Sequence, residues 1–371
     1  MKLLIFNWRD IKNPEAGGAE IHLHEICKKL VQRGHEIVLI SSKFSSKVVP
    51  NIEYIDGIKV IRVGNKFTYN IACFLYYMRY LRQQNFDIVI DDVSKIPLLT
   101  PFYVKGKKLA ISHHIHGKTV FKELPFIVAA GVFLSEFLIP VFYHRLKWIC
   151  VSESTKKELI NLFKIPPENI KVIYNGINPK LFQNHSVQKT DYPTVVYFGM
   201  VKNYKRIDLL LKAFKIVSNK IPESRLLIAG KGYAYDSLKN LANKLNIFHK
   251  VKFIGPINED KKINLLQSSW IQVIPSMKEG WGITVIEANV YGTPCIAYNV
   301  PGLRDSIIDG RTGILVKENG NVEKLAEAIY KLLVNHELRK ELSQNAIEWA
   351  KRFSWDKSAE EFERVVDRIA K

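Results

Sequence analysis

KLLIFN (2–7), AEIHLHEICKKLVQR (19–33) and EIVLIS (36–41) decide the fold. The outer two are apolar runs of strand length. The middle one places Ala19, Leu23, Ile26, Leu30 and Val31 at helical spacing, and Gly34 is a natural stop. Strand, glycine-bearing loop, helix, strand is a βαβ unit, the building block of a parallel sheet. The opening apolar run is shorter than the roughly 7–15 residues of a secretory signal's hydrophobic region. It reads as a buried first strand, with no targeting segment.

The pattern recurs outward from this unit. DIVIDD (87–92), KLAISHH (108–114), WICVS (148–152) and KVIYN (171–175) read as strands, and 154–164 reads as a helix that Ser154 can cap. Residues 183–193 (QNHSVQKTDYP) are polar without an apolar period and read as a linker. A second alternating half follows. Its strands fall at 194–199, 225–230, 250–255, 271–276 and 294–299, and its helices at 207–220, 235–245, 259–268 and 283–291. Two more helices close the chain, with Trp355, Phe362, Val365 and Ile369 on an apolar stripe of the last one. The expected class is α/β, two doubly wound domains with ligands bound in a cleft beyond the carboxyl ends of their strands.

Composition agrees with two globular cores: 371 residues, 47% hydrophobic. The formal charge is +19. Residues 1–150 carry 21 basic and 12 acidic side chains, or +9, so the excess is spread along the chain. A diffuse positive field suits nucleic acid, phosphorylated ligands or an anionic membrane surface. No RRM, KH, zinc-finger or helix-turn-helix signature supports nucleic acid, so none is expected as partner. Cys27, Cys73, Cys150 and Cys295 are far apart. They form no zinc or disulfide framework and fit reduced thiols in the cytoplasm. Residues 124–143 (LPFIVAAGVFLSEFLIPVFY) are the most apolar segment, flanked by Arg145 and Lys147. Three readings stand: a buried core helix, a membrane-surface contact, or a membrane span.

The sharpest constellation lies at 271–316. Strand IQVIPS leads into the loop MKEGWG and then the helix ITVIEANVYG. Glu279 sits in the loop and Glu287 about a turn into the helix. Gly280 and Gly282 allow close backbone approach, and the helix start at Ile283 favours negative charge. A loop carboxylate can accept from sugar hydroxyls, and a helix carboxylate can hold a ribose diol.

The run Ser276, then EGWGITVIEANVYGTPCIAYNVPGLRDSIIDGRTGILV, resembles glycosyltransferase family 4, the retaining GT-B enzymes. The resemblance covers nearly the whole chain. It implies two Rossmann-like domains facing a cleft: 1–187 on the acceptor side, completed by the closing helix (354–371), and 188–353 binding the donor. It assigns Glu279 to the donor sugar and Glu287 to the nucleotide ribose. Backbone near Gly280, Trp281, Gly282 and Ile283 would approach the sugar and diphosphate. Gly17-Gly18, opening the first helix, would face the diphosphate, and Gly230 and Gly255 would border the base. In SHHIHG (112–117), His113 aligns best with the family's histidine near the reacting carbon, with His114 as the fallback. His113, His114 and His116 lie within four positions, but no acidic ligand shares the segment, so no metal is expected. Alternation places His116 on the side of His114.

In FGMVKNYKRID (198–208), Lys205 matches the family lysine that neutralises the leaving diphosphate. Met200 stands where arginine is common, which leaves Lys202 or Arg206 to supply a second charge. The resemblance therefore implies a hexosyltransferase that retains configuration, with catalytic His113, Lys205 and Glu279 and no metal or cofactor. Its partners would be a nucleotide-sugar donor and a glycan or lipid-linked acceptor, with the enzyme in the cytoplasm, peripheral on the inner membrane face. The rival readings are a sugar-nucleotide epimerase or phosphorylase of the same architecture, an inactive partner subunit, and a basic nucleic-acid-binding protein.

Overall fold

The computed structural model describes residues 1–44, 49–93, 96–178, 181–182 and 188–371. The chain divides into two units, Met1–Gly176 with Ser354–Lys371, and Ile177–Phe353. The change of unit falls ahead of the expected 187/188 boundary. Of the expected linker, residues 183–187 lie outside the described residues.

Among the described residues, the first unit is built on an eight-stranded sheet. Its strands are β1 (Lys2–Phe6), β2 (Glu36–Ser42), β3 (Ile52–Ile55), β4 (Ile58–Val63), β5 (Ile88–Asp92), β6 (Lys108–Ser112), β7 (Lys147–Cys150) and β8 (Ile170–Val172). Their order is β3-β4-β2-β1-β5-β6-β7-β8. The pairings are parallel except β3 with β4. Runs such as LLIF are apolar at every position because both faces of the sheet are covered. Leu3 and Ile5 enter one core with Leu23, Ile26 and Leu30, while Leu4 and Phe6 enter another with Tyr69, Cys73 and Tyr77. The β3–β4 hairpin and the helix Tyr69–Tyr76 were not among the expected elements. Ser152, not Ser154, caps the Glu153–Phe163 helix, its hydroxyl accepting the Thr155 N–H at 3.1 Å.

The closing helix, Trp355–Ala370, puts Phe362 and Val366 into the core shared by Leu3 and Leu23. Its Glu363 pairs with Arg33 at 2.6 Å and with His35 at 2.7 Å. The apolar segment 124–143 is not one helix. It forms Phe126–Ser135 and Ile139–Phe142, joined by a 3-10 turn at Glu136–Leu138. Ala129, Val132 and Ile139 turn inward, while Phe126 and Ile127 stay exposed. A buried core helix is thus the wrong reading for most of its apolar side chains. Among the described residues, no helix is long and apolar enough to cross a membrane.

The second unit carries β9 (Thr194–Phe198), β10 (Arg225–Ala229), β11 (Val251–Gly255), β12 (Ile271–Ile274), β13 (Cys295–Tyr298) and β14 (Gly313–Val316). They are ordered β11-β10-β9-β12-β13-β14 and paired parallel. From β9 the chain runs outward to β10 and β11, then returns to β12 on the other side of β9. The loops after β9 and β12 therefore part at a topological switch point, where such sheets bind ligands. Strand β14 was not expected. Three helices, Val322–Val334, His336–Ala350 and Trp355–Ala370, close the chain where two were expected.

At the end of β5, buried Asp91 accepts from the Thr100 hydroxyl at 2.7 Å and the Tyr143 hydroxyl at 2.6 Å. Burial pushes its pKa from 3.8 up to about 6, against the pull of those donors. The folded state thus holds this proton more tightly than the unfolded chain. Its stability contribution is fully present below the unfolded pKa and is lost as pH rises towards the folded one, by up to about 3 kcal/mol. Asp91→Asn should remove that decline. Urea unfolding of both proteins from pH 4 to pH 7 checks it: the gap between wild type and variant should change with pH, and a constant gap refutes it.

Candidate active site

The switch point brings two expected site residues together. Lys205, in the loop after β9, places its Nζ 2.5 Å from Oε1 of Glu279, in the loop after β12. The Ser276 hydroxyl donates to the same oxygen at 2.6 Å. Backbone bonds fix both loops. The Met277 N–H donates to the Tyr204 carbonyl at 2.9 Å, and the Glu279 N–H to the Pro301 carbonyl at 3.1 Å. The side chains of Lys205 and Glu279 are 12% and 15% exposed, so the pair is shielded yet reachable. Burial disfavours the Lys205 charge, but the Glu279 carboxylate more than offsets it and holds the ammonium above its ordinary pKa.

Glu287 has a lysine of its own. Lys262 Nζ lies 2.7 Å from Glu287 Oε1 and 2.7 Å from Glu259 Oε1. Burial pushes the Glu287 carboxyl above its usual range while Lys262 pulls against it. Lys262 belongs to the Glu259–Ser268 helix after β11. Sequence reasoning did not single it out. Its only local mark is Glu259 three residues earlier, which reads as an ordinary surface pair.

Gly282 caps the Ile283–Val290 helix at φ 86°, a left-handed conformation that favours glycine. It lets the loop carrying Gly280 turn straight into the helix, whose first two amides, those of Ile283 and Thr284, precede the first bond of the turn, from the Val285 N–H to the Gly282 carbonyl at 2.9 Å. Trp281 was expected to contribute its backbone. Its indole is buried and packs edge-on against Phe353 at 4.8 Å, so it belongs to the core of this unit and only its backbone remains for a ligand.

The loops after β9, β10 and β11 are laced together. The Val201 N–H donates to the Lys231 carbonyl at 2.8 Å, and the Gly230 N–H to the Gly255 carbonyl at 2.8 Å. A Cβ on Gly230 would lie 1.8 Å from the Gly199 carbonyl oxygen, so no other residue fits this crossing. The Tyr235 hydroxyl, also missed in the sequence, donates to the Gly230 carbonyl at 2.9 Å and accepts the Gly255 N–H at 3.1 Å. Met200 presents its carbonyl to the Tyr197 hydroxyl at 2.7 Å. Of the cations considered in place of the usual arginine, Arg206 turns to Asp208 at 3.5 Å. Lys202 lies half-buried ahead of the short turn that carries Lys205.

In the first unit, Gly17 is the N-cap of the Gly18–Gln32 helix, and its N–H is taken by the Glu20 carboxylate at 2.7 Å. The next amide, that of Gly18, is the first of the helix. His113 follows β6, and its Nε2 lies 3.1 Å from Asp92 Oδ2 at the end of β5. Its ring meets that of His22, from the Gly18–Gln32 helix, edge-on at 4.9 Å. Burial lowers the pKa of His113, but Asp92 and then Glu20 more than offset this and raise it above its ordinary value. Burial and the neighbouring His113 push His22 well below its own. A neutral His22 beside a readily protonated His113 keeps the two rings compatible. His114 and His116, past the end of β6 at Ser112, meet edge-on at 4.3 Å. Among the described residues, no cluster of three or more His, Cys, Asp or Glu is arranged to hold a metal ion.

Two doubly wound units, the second with a lysine–carboxylate pair at its switch point, define a GT-B glycosyltransferase. The model described as Glycosyltransferase Family 4 matches residues 16–181, and the model described as Glycosyl transferases group 1 matches residues 180–349. The chain belongs to the family 4 type of glycosyltransferases. It is similar to an uncharacterized glycosyltransferase of Methanocaldococcus jannaschii, 28% identical over 97% of this chain and 96% of that one. In fold it is similar to the sucrose-phosphate synthase of Thermosynechococcus elongatus, with a TM-score of 0.81, 19% identity, and 99% and 98% of the two chains covered. It is likewise similar to the Anabaena protein HepE in complex with UDP-glucose, with a TM-score of 0.77, 18% identity, and 99% and 100% covered.

Two outcomes test this geometry. Breaking a shielded pair by removing one partner costs on the order of 3–5 kcal/mol, whereas removing both costs less. Lys205→Met and Glu279→Gln should each destabilise more than their combination does per residue. Urea unfolding of all four proteins measures this, and strict additivity would show that the two side chains do not interact. Separately, Asp92→Asn should lower the pKa of His113. An NMR titration of the imidazole signals, assigned with His113→Gln, reads it, and an unmoved titration removes Asp92 as the cause.

Proposed function

We propose that the chain transfers a hexose-type sugar, with retention of anomeric configuration, from a nucleotide-sugar donor to a lipid-linked or envelope glycan. It would work as a peripheral protein on the inner face of the cell membrane. One observation carries this reading: the Lys205–Glu279 pair at the switch point, beside the amino end of the Ile283–Val290 helix. An arriving diphosphate exchanges one anion for another at the Lys205 ammonium. That frees the Glu279 carboxylate to accept from sugar hydroxyls. Glu287, set against Lys262, is assigned to the nucleotide ribose. In the first unit, His113 is assigned a hydrogen bond to a donor hydroxyl, and the Gly18 amide a contact with an anionic group. The structural likeness to a protein solved with UDP-glucose supports a nucleotide-sugar donor.

In the proposed step the bond between the anomeric carbon and the diphosphate oxygen breaks. The acceptor oxygen bonds to that carbon on the same face. The acceptor's proton passes to the departing phosphate oxygen, and a nucleoside diphosphate leaves. Lys205 and the first-turn amides of the helix oppose the charge that grows on the leaving group. The cationic charge is supplied by this lysine, so the scheme uses no metal or cofactor.

Thermal-shift measurements with UDP-, GDP- and ADP-glucose should show one base raising the melting temperature, since a ligand that binds the folded state stabilises it. With that donor, Lys205→Met should lower kcat by about a hundredfold or more, in line with the loss of one group opposing transition-state charge. Glu279→Ala should lose most turnover as well. Wild-type turnover in both variants at saturating donor would sink the assignment.

A further inference from the structure

We propose that the helical segment of residues 126–142 is the face on which this protein docks onto an anionic lipid bilayer. The inference deepens the membrane placement proposed above and rests on it, but not on the donor chemistry. Phe126, Ile127, Phe137 and Val141 are 75%, 85%, 59% and 69% exposed. Phe102, 76% exposed, packs its ring on Phe142 at 6.1 Å and extends the apolar surface onto the Thr100–Tyr103 helix. Single exposed apolar side chains are ordinary on a soluble surface, but a contiguous group of large ones marks an interaction site.

Charge selects the occupant. Exposed Lys118, Lys122 and Arg145 flank the segment in the chain, and the acids between residues 96 and 147 are Glu123 and Glu136 alone. Glu136 adds nothing to the outer surface. It is buried, and its Oε1 accepts the backbone N–H of His116 at 2.9 Å and of Gly117 at 3.1 Å. A second copy of this chain would bring the same positive charge against itself. Anionic headgroups neutralise the cations while the acyl boundary receives the phenylalanines, the combination that holds an amphipathic helix in the membrane interface. The helices are too short to span, so they lie along the surface. Glu136 also ties this helical segment to the backbone at His116 and Gly117, in the loop that follows His113.

Co-sedimentation of the whole protein with phosphatidylcholine vesicles, with and without phosphatidylglycerol, tests the proposal. Wild type should bind the phosphatidylglycerol vesicles, less so at high salt, and bind pure phosphatidylcholine weakly. Phe126→Ser with Ile127→Ser should weaken binding by about tenfold or more, as expected for losing two inserted side chains. The melting temperature should stay unchanged, because both side chains face solvent. Lys118→Gln with Lys122→Gln should weaken binding to the anionic vesicles alone. Phe126→Trp should gain a fluorescence component quenched by brominated acyl chains. The proposal is overturned if wild type ignores anionic vesicles at low salt, if the serine variant binds like wild type, or if that variant instead turns a dimer into monomers in sedimentation velocity. Loss of lipid binding with donor stabilisation intact defeats this inference alone. Lipid binding without stabilisation by any nucleotide-sugar defeats the catalytic reading alone.

Discussion

Two lysine–glutamate contacts govern the chemistry available to the second unit. A carboxylate moved out of water is costly unless a cation meets it, and a buried lysine carries the same penalty. Lys205 against Glu279 and Lys262 against Glu287 settle both debts at once. The consequence is a site already furnished with cations, each held against a carboxylate. An anionic ligand need not recruit a cation from solvent, since one is held in place by Ser276, Glu279 and the crossing of two loops. This is the preorganisation that electrostatic catalysis requires, because fixed charges do not have to reorient as the leaving group develops its own.

The first unit uses the same logic with a titratable partner. Asp92 holds His113, and His22 fills the space behind it without adding charge. The strand ends of β5 and β6, adjacent in the sheet, set the distance between Asp92 and His113. Asp91, the residue before it in β5, points the other way and ties down Thr100 and Tyr143. Consecutive aspartates thus perform separate tasks because strand side chains alternate. One organises the histidine, and the other fastens the helix beside the exposed apolar segment.

Much of this was legible in the sequence. Parallel strands covered on both faces are uninterrupted apolar runs, so β1, β2, β5, β6, β9, β10 and β12 announce themselves. The Glu279–Glu287 spacing and its glycines are local, and local patterns survive in a linear reading. What failed was nonlocal or weakly patterned. The edge hairpin β3–β4 alternates with charged residues and resembles a loop. Lys262 and Tyr235 acquire their roles only when separate helices converge on β9 to β12. Trp281 was read for its backbone alone, and the packing of its side chain on Phe353, more than seventy residues away, is equally nonlocal. The 124–143 run is apolar enough for a core, and only its packing shows that half of it faces outward.

The closing helix has a consequence for how the chain comes into being. Phe362 and Val366 complete the core that Leu3, Leu23 and Ile26 begin. During synthesis that core stays open until residues 355–370 emerge, whereas the described strands of the second unit have already been made. The inserted unit can reach its native state on the ribosome first, and the unit that starts the chain finishes last. Loss of Phe362 and Val366 would therefore strike the first unit rather than the unit that precedes them in the chain.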